Sequence, residues 1–504
     1  MITGKFERRI DFAIKWKLAL LIGLVYLLCS SGFPWIEAGL QLRIAESLLK
    51  DRSFGLKGYM PYPFFYRAGL SYDPHGITNV IYFIPLVLLK NFIVGIISPP
   101  LDNLDLFLCS LWGIPVAVFG SLVFFALLRQ LGISLRVAVL TTLCLSFATI
   151  VFAYGVNSYE GNLNKLFLLS SIYFIYLFSK KNKIRYVSYA GIFAGLMLNS
   201  RIEMSVLFVF CLVLFLGYES WVRRNFMIIL TFLMCLFPFV LLWAWYNAVR
   251  TGFWYLTPPV FFWPEQKIYW FQNIVNGLRG LLFSAGTSIF VFSPIVAVSF
   301  LGWIEFLRRR KKMAILFLFI IISFLLANAA APNGFFGLFC WGPRYTLEIT
   351  PLMMVPLAFW LSKDSSWRKG RKSLFFFVVL YSLFIQLASV LVNWHARLPY
   401  LLRNSERFFF TFWGSQWWDS LKNLGINLWN LLFGRWHYLP VFGYNSSISP
   451  ASFYQSQTIF TWWNRLLFLG LPWWWVSLYL WISFVSIAAL FLLIRRDLRS
   501  STSV

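Results

Sequence analysis

Charge is scarce in this chain. Only 12% of its 504 residues are Asp, Glu, Lys or Arg, whereas 60% are hydrophobic, and soluble globular domains carry about 25% charged residues. A soluble fold is therefore excluded. Apolar runs of about 18 residues or more recur along the whole chain, and each can cross roughly 30 Å of hydrocarbon. We predict an all-α, polytopic membrane protein, since a transmembrane β-barrel would show short alternating segments instead.

Acidic residues are scarcer still. The chain has 18 Asp and Glu against 44 Lys and Arg, which gives a net charge of +26. The basic clusters are short and lie between apolar runs, so no nucleic-acid partner is expected. Lys and Arg instead accumulate in the cytoplasmic loops of membrane proteins. We therefore predict that both termini and the basic loops are cytoplasmic.

Histidine and cysteine are also few. The three histidines lack the spacing of a metal site, and the six cysteines include no CxxC pair and no zinc-binding spacing. Five of the six cysteines lie in apolar runs and are interpreted as small core residues. The sequence therefore predicts no histidine-based metal site. No cofactor is certain, and a divalent metal stays possible.

The hydropathy and charge patterns together predict about twelve spans. Their approximate bounds are 16–31, 104–128, 137–154, 163–179, 187–200, 204–220, 226–247, 287–306, 313–329, 348–362, 373–393 and 472–494. The run "ITNVIYFIPLVLLKNFIVGII" is long enough to be a span, but counting it would invert every later basic loop. We interpret it as a helix along the outer membrane face.

The long segments between spans are then external: 32–103, 248–286, 330–347 and 394–471. They are rich in Trp, Tyr and Phe, which favour the headgroup layer, so we expect them to contact membrane lipids. We divide the chain into a catalytic membrane module over 1–360 and a C-terminal membrane region over 361–504. No internal repeat, low-complexity tract or soluble domain is evident.

Two external acids are the first candidates for chemistry. Glu37 follows the first predicted span, although a carboxylate that favours a helix start is the alternative interpretation. Glu160 lies between two spans, where a carboxylate is costly and tends to be functional. Its alternative is an ion pair with Lys165 that merely tolerates burial. Arg201 and Glu203 share a short external turn and are predicted to pair with each other or with neighbouring loops.

The stretch "WGPRY", residues 341–345, forms a turn at the mouth of a predicted span. Its proline blocks early helix formation, and the planar guanidinium of Arg344 suits a phosphate. Snorkelling of Arg344 to lipid headgroups is the alternative. Glu348 lies four residues on, so Arg344 and Glu348 are predicted to form one wall of a polar pocket. Asp73 and His75 precede the interfacial helix, where a lone histidine is more often structural.

Several segments, taken in chain order, resemble the C-type integral-membrane glycosyltransferases (GT-C). These enzymes include the bacterial aminoarabinose and protein mannosyl transferases. The segments are Glu37 with "AESLLKDRSF", then "SYDPHGITNVIYFIPL", then Glu160, and finally "LLFSAGTSIFVFSP" with "WGPRYTLEITPL". The similarity spans about residues 5 to 360, and the last two segments are the more specific.

The resemblance implies a GT-C architecture with juxtamembrane helices in the first external loop. It also implies transfer of a monosaccharide, with inversion, from a polyprenyl-phosphate carrier. The acceptor would be an envelope glycolipid, polysaccharide or protein, on the external face of the cytoplasmic membrane. Glu37 stands where the family usually has Asp followed by a second acid, and Asp73 and His75 stand where some members have a lysine.

Residue roles follow from the same resemblance. Glu37 would be the base, Glu160 would position the acceptor or the sugar, and Arg344 together with Arg201 would hold the lipid phosphate. The substrate-binding residues would be Asp73, His75, Tyr345 and Glu348.

Other functions stay open on the sequence alone. Arg397, Arg403 and Arg407 in the 394–471 segment are compatible with an O-antigen polymerase or ligase that uses a diphosphate-linked donor. A lipid-linked sugar flippase or transporter would favour charged or broken helices near the midplane and symmetry between halves, and neither is evident in the sequence. A non-catalytic envelope-assembly protein is a further alternative.

Overall fold

The computed structural model describes residues 2–32, 36–58, 65–96, 104–256, 274–330, 340–363, 369–394, 405–432, 461–463 and 472–500. The first half contains α1 Ile2–Cys29, α2 Ile36–Asp51, α3 Ile77–Ile96, α4 Leu104–Gln130, α5 Leu135–Phe147, α6 Ile150–Gly155, α7 Gly161–Lys181, α8 Arg185–Leu198, α9 Ile202–Val222 and α10 Met227–Thr251. The second half contains α11 Ile274–Phe283, α12 Ile289–Phe292, α13 Pro294–Ser299, α14 Trp303–Ala330, α15 Thr350–Leu361, α16 Lys369–Leu391, α17 Ser405–Phe410, α18 Gln416–Leu432 and α19 Trp473–Ser500. Two 3₁₀ turns cover Phe300–Gly302 and Arg344–Leu347.

The predicted all-α membrane architecture is confirmed. Within the described residues, eight helices are long and apolar enough to cross a membrane. They are Asp11–Cys29, Ile77–Ile96, Phe107–Gln130, Ile202–Val222, Met227–Thr251, Pro294–Ala330, Gly370–Leu391 and Trp473–Arg499. The number differs from the predicted twelve for three reasons. The predicted spans 137–154, 187–200 and 348–362 form helices that are short or interrupted, and α7 is long but not apolar enough. The predicted spans 287–306 and 313–329 fall largely within Pro294–Ala330, and Ile77–Ile96, predicted to lie along the membrane face, is long and apolar enough to cross.

Two of these interruptions lie at polar side chains. The predicted span 137–154 breaks after α5, because the Thr149 hydroxyl accepts the Val151 N–H and starts α6. The predicted span 287–306 breaks at Ser293, between α12 and the start of α13 at Pro294. The two breaks meet, since the Ile150 N–H donates to the Ser293 Oγ at 3.0 Å. Hydropathy reports apolar content and does not detect such breaks.

The predicted loop 308–312 is a sharp break within α14. Arg310 has non-helical backbone angles (φ −141°, ψ 52°) in the middle of Trp303–Ala330. The helix therefore consists of two parts that meet at a basic cluster, as the charge pattern predicted for a loop.

The first external segment contains two helices packed on each other. Ala38, Leu42 and Ala45 of α2 share a core cluster with Val80 and Phe83 of α3, and Lys90 forms an ion pair with Glu46 at 2.5 Å. A small antiparallel sheet joins them, with strands β1 Gly55–Lys57, β3 Leu70–Tyr72 and β2 Phe65–Arg67 in that spatial order. α3 has the bounds predicted for the interfacial helix, and its position along the membrane face stays a prediction.

Charged residues occupy the two ends of the main helices. At one end Arg129 pairs with Asp11 at 3.2 Å, Lys17 with Asp497 at 2.5 Å, and Glu219 with both Arg223 at 2.8 Å and Lys312 at 2.6 Å. These pairs join segments predicted to be cytoplasmic. α7 and α9 each have 21 residues, about 30 Å of helix, and each begins at a second polar cluster. That second cluster contains the candidate site.

Candidate active site

Four loops converge at the ends of α7 and α9 that lie away from the basic loops. The turn at 73–76 precedes α3, the turn at 156–160 precedes α7, the turn at 199–201 precedes α9, and the stretch 340–349 precedes α15. The predicted site residues are distributed over them.

The first and third loops are joined through their backbones. The Gly76 N–H donates to the Ser200 carbonyl at 3.1 Å, and the Thr78 N–H donates to the Asn199 carbonyl at 3.0 Å. A Cβ on residue 76 would lie 1.9 Å from the Asn199 oxygen, so only glycine permits this approach. The Asn79 amide adds a bond to the Ser200 carbonyl at 3.0 Å.

Arg250 donates hydrogen bonds to the backbone of the first loop. Its Nη1 donates to the carbonyl oxygens of Asp73 at 2.8 Å and of His75 at 2.5 Å, and its Nη2 donates to the Asn247 Oδ1 at 2.6 Å. Arg250 is 2% exposed and lies in the last turn of α10. Arg250 was not among the predicted site residues, although its place directly after a predicted span could have indicated it.

His75 and Glu160 form a buried pair. The His75 Nε2 lies 3.7 Å from the Glu160 Oε1. Burial raises the pKa of the Glu160 carboxyl above its ordinary value, and the positive charges of His75 and Arg201 oppose that shift. Burial alone would lower the pKa of His75, but the carboxylates of Glu160, Asp73 and Glu37 raise it overall. The charge states of His75 and Glu160 are therefore coupled, and the Glu37 carboxylate influences both.

Asp73 supports the loop that carries His75. Its Oδ1 accepts the His75 N–H at 3.1 Å, and burial raises the pKa of this carboxyl. Asp73 is thus fully buried.

The alternative pair of Glu160 with Lys165 is not formed. Lys165 is buried one turn into α7, and its Nζ donates to the Asn162 Oδ1 at 2.9 Å. The Asn162 amide in turn donates to the Tyr154 carbonyl at 2.7 Å. Lys165 therefore holds the start of α7 while Glu160 faces His75.

Two guanidinium groups lie against one phenol ring. The centre of the Arg201 guanidinium is 4.8 Å from the centroid of Tyr345, and that of Arg344 is 4.9 Å away. Arg201 donates to the Tyr159 hydroxyl at 3.1 Å, and Arg344 donates to the Tyr345 hydroxyl at 3.1 Å. Both arginines, whose guanidinium groups are planar donors, therefore contact the Tyr345 ring.

Glu348 contributes the carboxylate of this cluster. It is fully buried, and its Oε1 lies 3.5 Å from the Arg201 Nη1. Its ion-pair partner is therefore Arg201, whereas the sequence predicted a wall made with Arg344. Arg344–Leu347 is a 3₁₀ turn and α15 begins only at Thr350, so the helical spacing assumed in the prediction does not hold. Arg201 pairs here with Glu348, and not with Glu203 of its own turn.

Glu37 lies in the first turn of α2 and is half-buried. Its negative charge raises the pKa of His75 and of Glu160. A narrow pocket between α2, α3, α4 and the start of α7 is lined by Gln41, Tyr82, Gly113, Ser158 and Glu160 among others. The contacts of the other seven predicted site residues form two groups, which are Asp73 with His75 and Glu160, and Arg201 with Arg344, Tyr345 and Glu348. Charge interactions link the two groups and Glu37.

No group of three or more His, Cys, Asp or Glu side chains among the described residues is arranged to hold a metal ion.

Three arginines of the late external segment kept a polymerase or ligase function open in the sequence. Arg397 and Arg403 lie outside the described residues, as does the side chain of Arg407.

Residues 107–245, from α4 to α10, match the family described as dolichyl-phosphate-mannose-protein mannosyltransferase. This match confirms the predicted resemblance to the protein mannosyl transferases within the GT-C group. No curated protein sequence matches the chain.

The solved structures similar to this chain include the following two. One is ArnT from Cupriavidus metallidurans bound to undecaprenyl phosphate, with 14% identity, 84% of this chain and 72% of that chain covered, and a TM-score of 0.48. The other is the archaeal oligosaccharyltransferase AglB from Archaeoglobus fulgidus in complex with an inhibitory peptide and a dolichol-phosphate. It has 12% identity, 79% and 58% coverage of the two chains, and a TM-score of 0.43.

Proposed function

We propose that this protein is a GT-C-type glycosyltransferase that takes a monosaccharide from a polyprenyl-phosphate carrier. The observation that carries the proposal is the pair of guanidinium groups on Tyr345, since two planar forks at one point suit a phosphate. The matched family supports it, because its description names a polyprenyl-phosphate sugar as the donor.

The proposed reaction is one displacement at the anomeric carbon. An acceptor hydroxyl oxygen attacks that carbon, the bond from carbon to phosphate oxygen breaks, and the lipid phosphate leaves with the electron pair. Negative charge grows on the leaving oxygen, where Arg344 and Arg201 stabilise it. A single displacement inverts the anomeric configuration.

The acceptor proton passes to a carboxylate, for which Glu37 is our candidate. Glu37 is half-buried and can be reached, whereas Glu160 is 7% exposed and faces His75. A general base must come within hydrogen-bond reach of the proton that it takes. We assign Glu37 as the base and Glu160, with His75, as the group that positions the acceptor or the sugar. Asp73, Tyr345 and Glu348 complete the proposed substrate-binding set.

We further propose that the site faces outward from a prokaryotic cytoplasmic membrane. Its polar cluster lies about 30 Å from the basic end of α7 and α9, and basic loops favour the cytoplasm. The polyprenyl chain would stay in hydrocarbon while its phosphate meets the two arginines. Acceptors of this class are envelope glycolipids, polysaccharides and proteins.

A transfer assay tests the proposal. Purified protein receives radiolabelled polyprenyl-phosphate sugars and an envelope extract, and Glu37→Gln and Glu160→Gln are compared with wild type. Glu46→Gln is the matched control, because Glu46 lies on the same helix as Glu37 but pairs with Lys90. We expect label transfer by wild type and by Glu46→Gln, and a loss of at least about 100-fold in Glu37→Gln.

Other outcomes have definite meanings. Full activity of Glu37→Gln with loss in Glu160→Gln would move the base to Glu160. Transfer only from a diphosphate-linked donor would replace the proposal by a polymerase or ligase activity.

A further inference from the structure

The late external segment reaches back into the candidate site. Gln416, the first residue of α18, is 1% exposed. Its Nε2 donates to the Cys340 carbonyl at 3.0 Å, and its Oε1 accepts the Gly342 N–H at 3.1 Å. One side-chain amide thus bridges the backbone of the turn that leads into Arg344.

The turn before Arg344 is tightly constrained. Gly342 adopts a left-handed conformation (φ +53°), and a Cβ there would lie 2.6 Å from the Phe292 ring. The Tyr154 hydroxyl donates to the Trp341 carbonyl at 2.7 Å, and the Trp341 ring packs against Phe292. Gln416 adds hydrogen bonds to the backbone on both sides of Trp341, and these contribute to the direction in which the chain enters Arg344.

The late external segment also contacts "LLFSAGTSIFVFSP", another of the segments that resemble the GT-C enzymes. The Phe409 carbonyl accepts the Ser284 hydroxyl at 2.5 Å and the Gly286 N–H at 3.2 Å. A Cβ on Gly286 would lie 2.4 Å from the Phe408 carbonyl oxygen. Segment 405–416 thus contacts both "LLFSAGTSIFVFSP" and "WGPRYTLEITPL".

The packing of α18 against α16 fixes the position from which Gln416 makes its contacts. Trp417 and Leu424 on one face of α18 are buried in the same core cluster as Phe375 and Ala388 of α16. The Gln416 side chain therefore extends from a packed helix, and it can transmit that position to the turn.

We propose that residues 405–432 form a positioning clamp for the candidate site, in which Gln416 sets the place of Arg344. This inference rests on the proposed function for its catalytic meaning. Gln416 is a positioning residue, because it acts through the backbone before Arg344 and not on the substrate.

The first test reports on the turn without any activity. Cys340 is buried and its carbonyl is one partner of Gln416. We expect Gln416→Ala to speed maleimide labelling of Cys340 about tenfold, because two hydrogen bonds that restrain the turn are lost; labelling is measured by mass spectrometry of the peptide. Asn423→Ala is the control, since the Asn423 amide bonds within α18 to Asp419 and its loss should leave labelling unchanged.

The second test is a double-mutant cycle in the transfer assay. Gln416→Ala should lower kcat/KM for the donor about tenfold in wild type and cause no further loss in Arg344→Ala, because its effect passes through Arg344. Gln416→Glu keeps the acceptor for Gly342 but not the donor to Cys340, so an intermediate loss is expected even if Gln416→Ala does not fold.

Unchanged labelling of Cys340 would overturn the clamp, and equal losses in both backgrounds would overturn its action through Arg344. A wild-type protein that transfers from no polyprenyl-phosphate donor would overturn the proposed function instead, and the labelling would then decide the clamp by itself.

Discussion

The guanidinium groups of Arg201 and Arg344 lie 4.8 Å and 4.9 Å from the centroid of the Tyr345 ring, and an aromatic ring attracts a cation on its face. Glu348 is the carboxylate at ion-pair distance of Arg201. Under the proposed function, both arginines bind the donor phosphate.

Replacing Arg344 by Ala should weaken use of the donor about 10- to 100-fold in kcat/KM, because charge-assisted hydrogen bonds contribute about 1.5–3 kcal/mol. Arg344→Lys should recover only part, since lysine lacks the planar fork. Steady-state kinetics with varied donor provides the measurement. Arg309→Ala is the control, as Arg309 pairs with Glu305 at the other end of the molecule. Equal effects of the two alanine variants would contradict the phosphate role.

The His75–Glu160 pair predicts a pH-dependent stability. The pKa of His75 lies above its ordinary 6.5 in the folded protein, so its contribution is full below 6.5 and is lost as pH rises through the folded value. The pKa of Glu160 is also raised, so its contribution to stability is full below 4.5 and is lost as pH rises through the folded value. Thermal unfolding between about pH 6 and pH 9 should show a falling Tm in wild type and a smaller fall in His75→Gln. Parallel curves would disprove the coupling.

The sequence singled out the eight residues of this cluster because charge at a membrane surface is rare and costly. It did not single out Arg250, Tyr159 or Gln416. Arg250 donates to backbone carbonyls, the Tyr159 hydroxyl accepts from Arg201, and Gln416 bonds to a backbone carbonyl and a backbone N–H. Such contacts depend on which loops meet in space. Arg201 pairs with Glu348 of a neighbouring loop, which was one of the two alternatives that the sequence left open, whereas the helical spacing assumed between Arg344 and Glu348 is replaced by a 3₁₀ turn.

At the scale of elements, helix existence was predictable and helix continuity was not. α4, α9, α10 and α16 follow the predicted spans closely, because long apolar runs determine them. α5 with α6, and α12 with α13, fill predicted spans that are interrupted at Thr149 and at Ser293. Polar interruptions of this kind do not show in a hydropathy pattern, so the continuity of these two spans was predicted wrongly.

Gly113 of α4 shows how tightly the turn before α7 is packed. A Cβ on residue 113 would lie 2.5 Å from the Asn157 oxygen and 2.5 Å from the Ser158 Cα. Gly113→Ala should therefore destabilise the protein by about 1–3 kcal/mol and lower transfer by displacing the turn that carries Glu160. Gly217→Ala in α9 is the matched helical control, because nothing lies within 4 Å of its added Cβ. Unfolding in detergent measures both, and equal stability of the two variants would refute the packing argument.

At the scale of the whole molecule, charge is sorted between the two ends of the helices. The basic end joins α1, α4, α9, α14 and α19 through ion pairs, and the other end holds the candidate site. The proposed division at residue 360 stays a prediction, although contacts cross it, as when the Ser382 hydroxyl accepts the Ile295 N–H at 3.1 Å.

The orientation in the membrane is testable with single cysteines. Lys57 of β1 and Lys183 after α7 are both exposed, and they lie at the site end and the basic end. An impermeant maleimide should label Lys57→Cys in intact spheroplasts but label Lys183→Cys only after permeabilisation. The native cysteines give little background, because five of the six are buried. The reverse labelling pattern would place the site on the cytoplasmic face.

The bond from the Ile150 N–H to the Ser293 hydroxyl joins residues 143 positions apart. During synthesis at about 5–20 residues per second, Ser293 emerges roughly 7 to 30 s after Ile150. Backbone donors without partners are costly in a membrane, so the α5–α6 break completes its bonding only when the later break arrives. The nascent chain must therefore wait, with this helix incompletely inserted or sheltered by the insertion machinery. A stop codon before residue 293 should yield a fragment that quality-control proteases remove quickly.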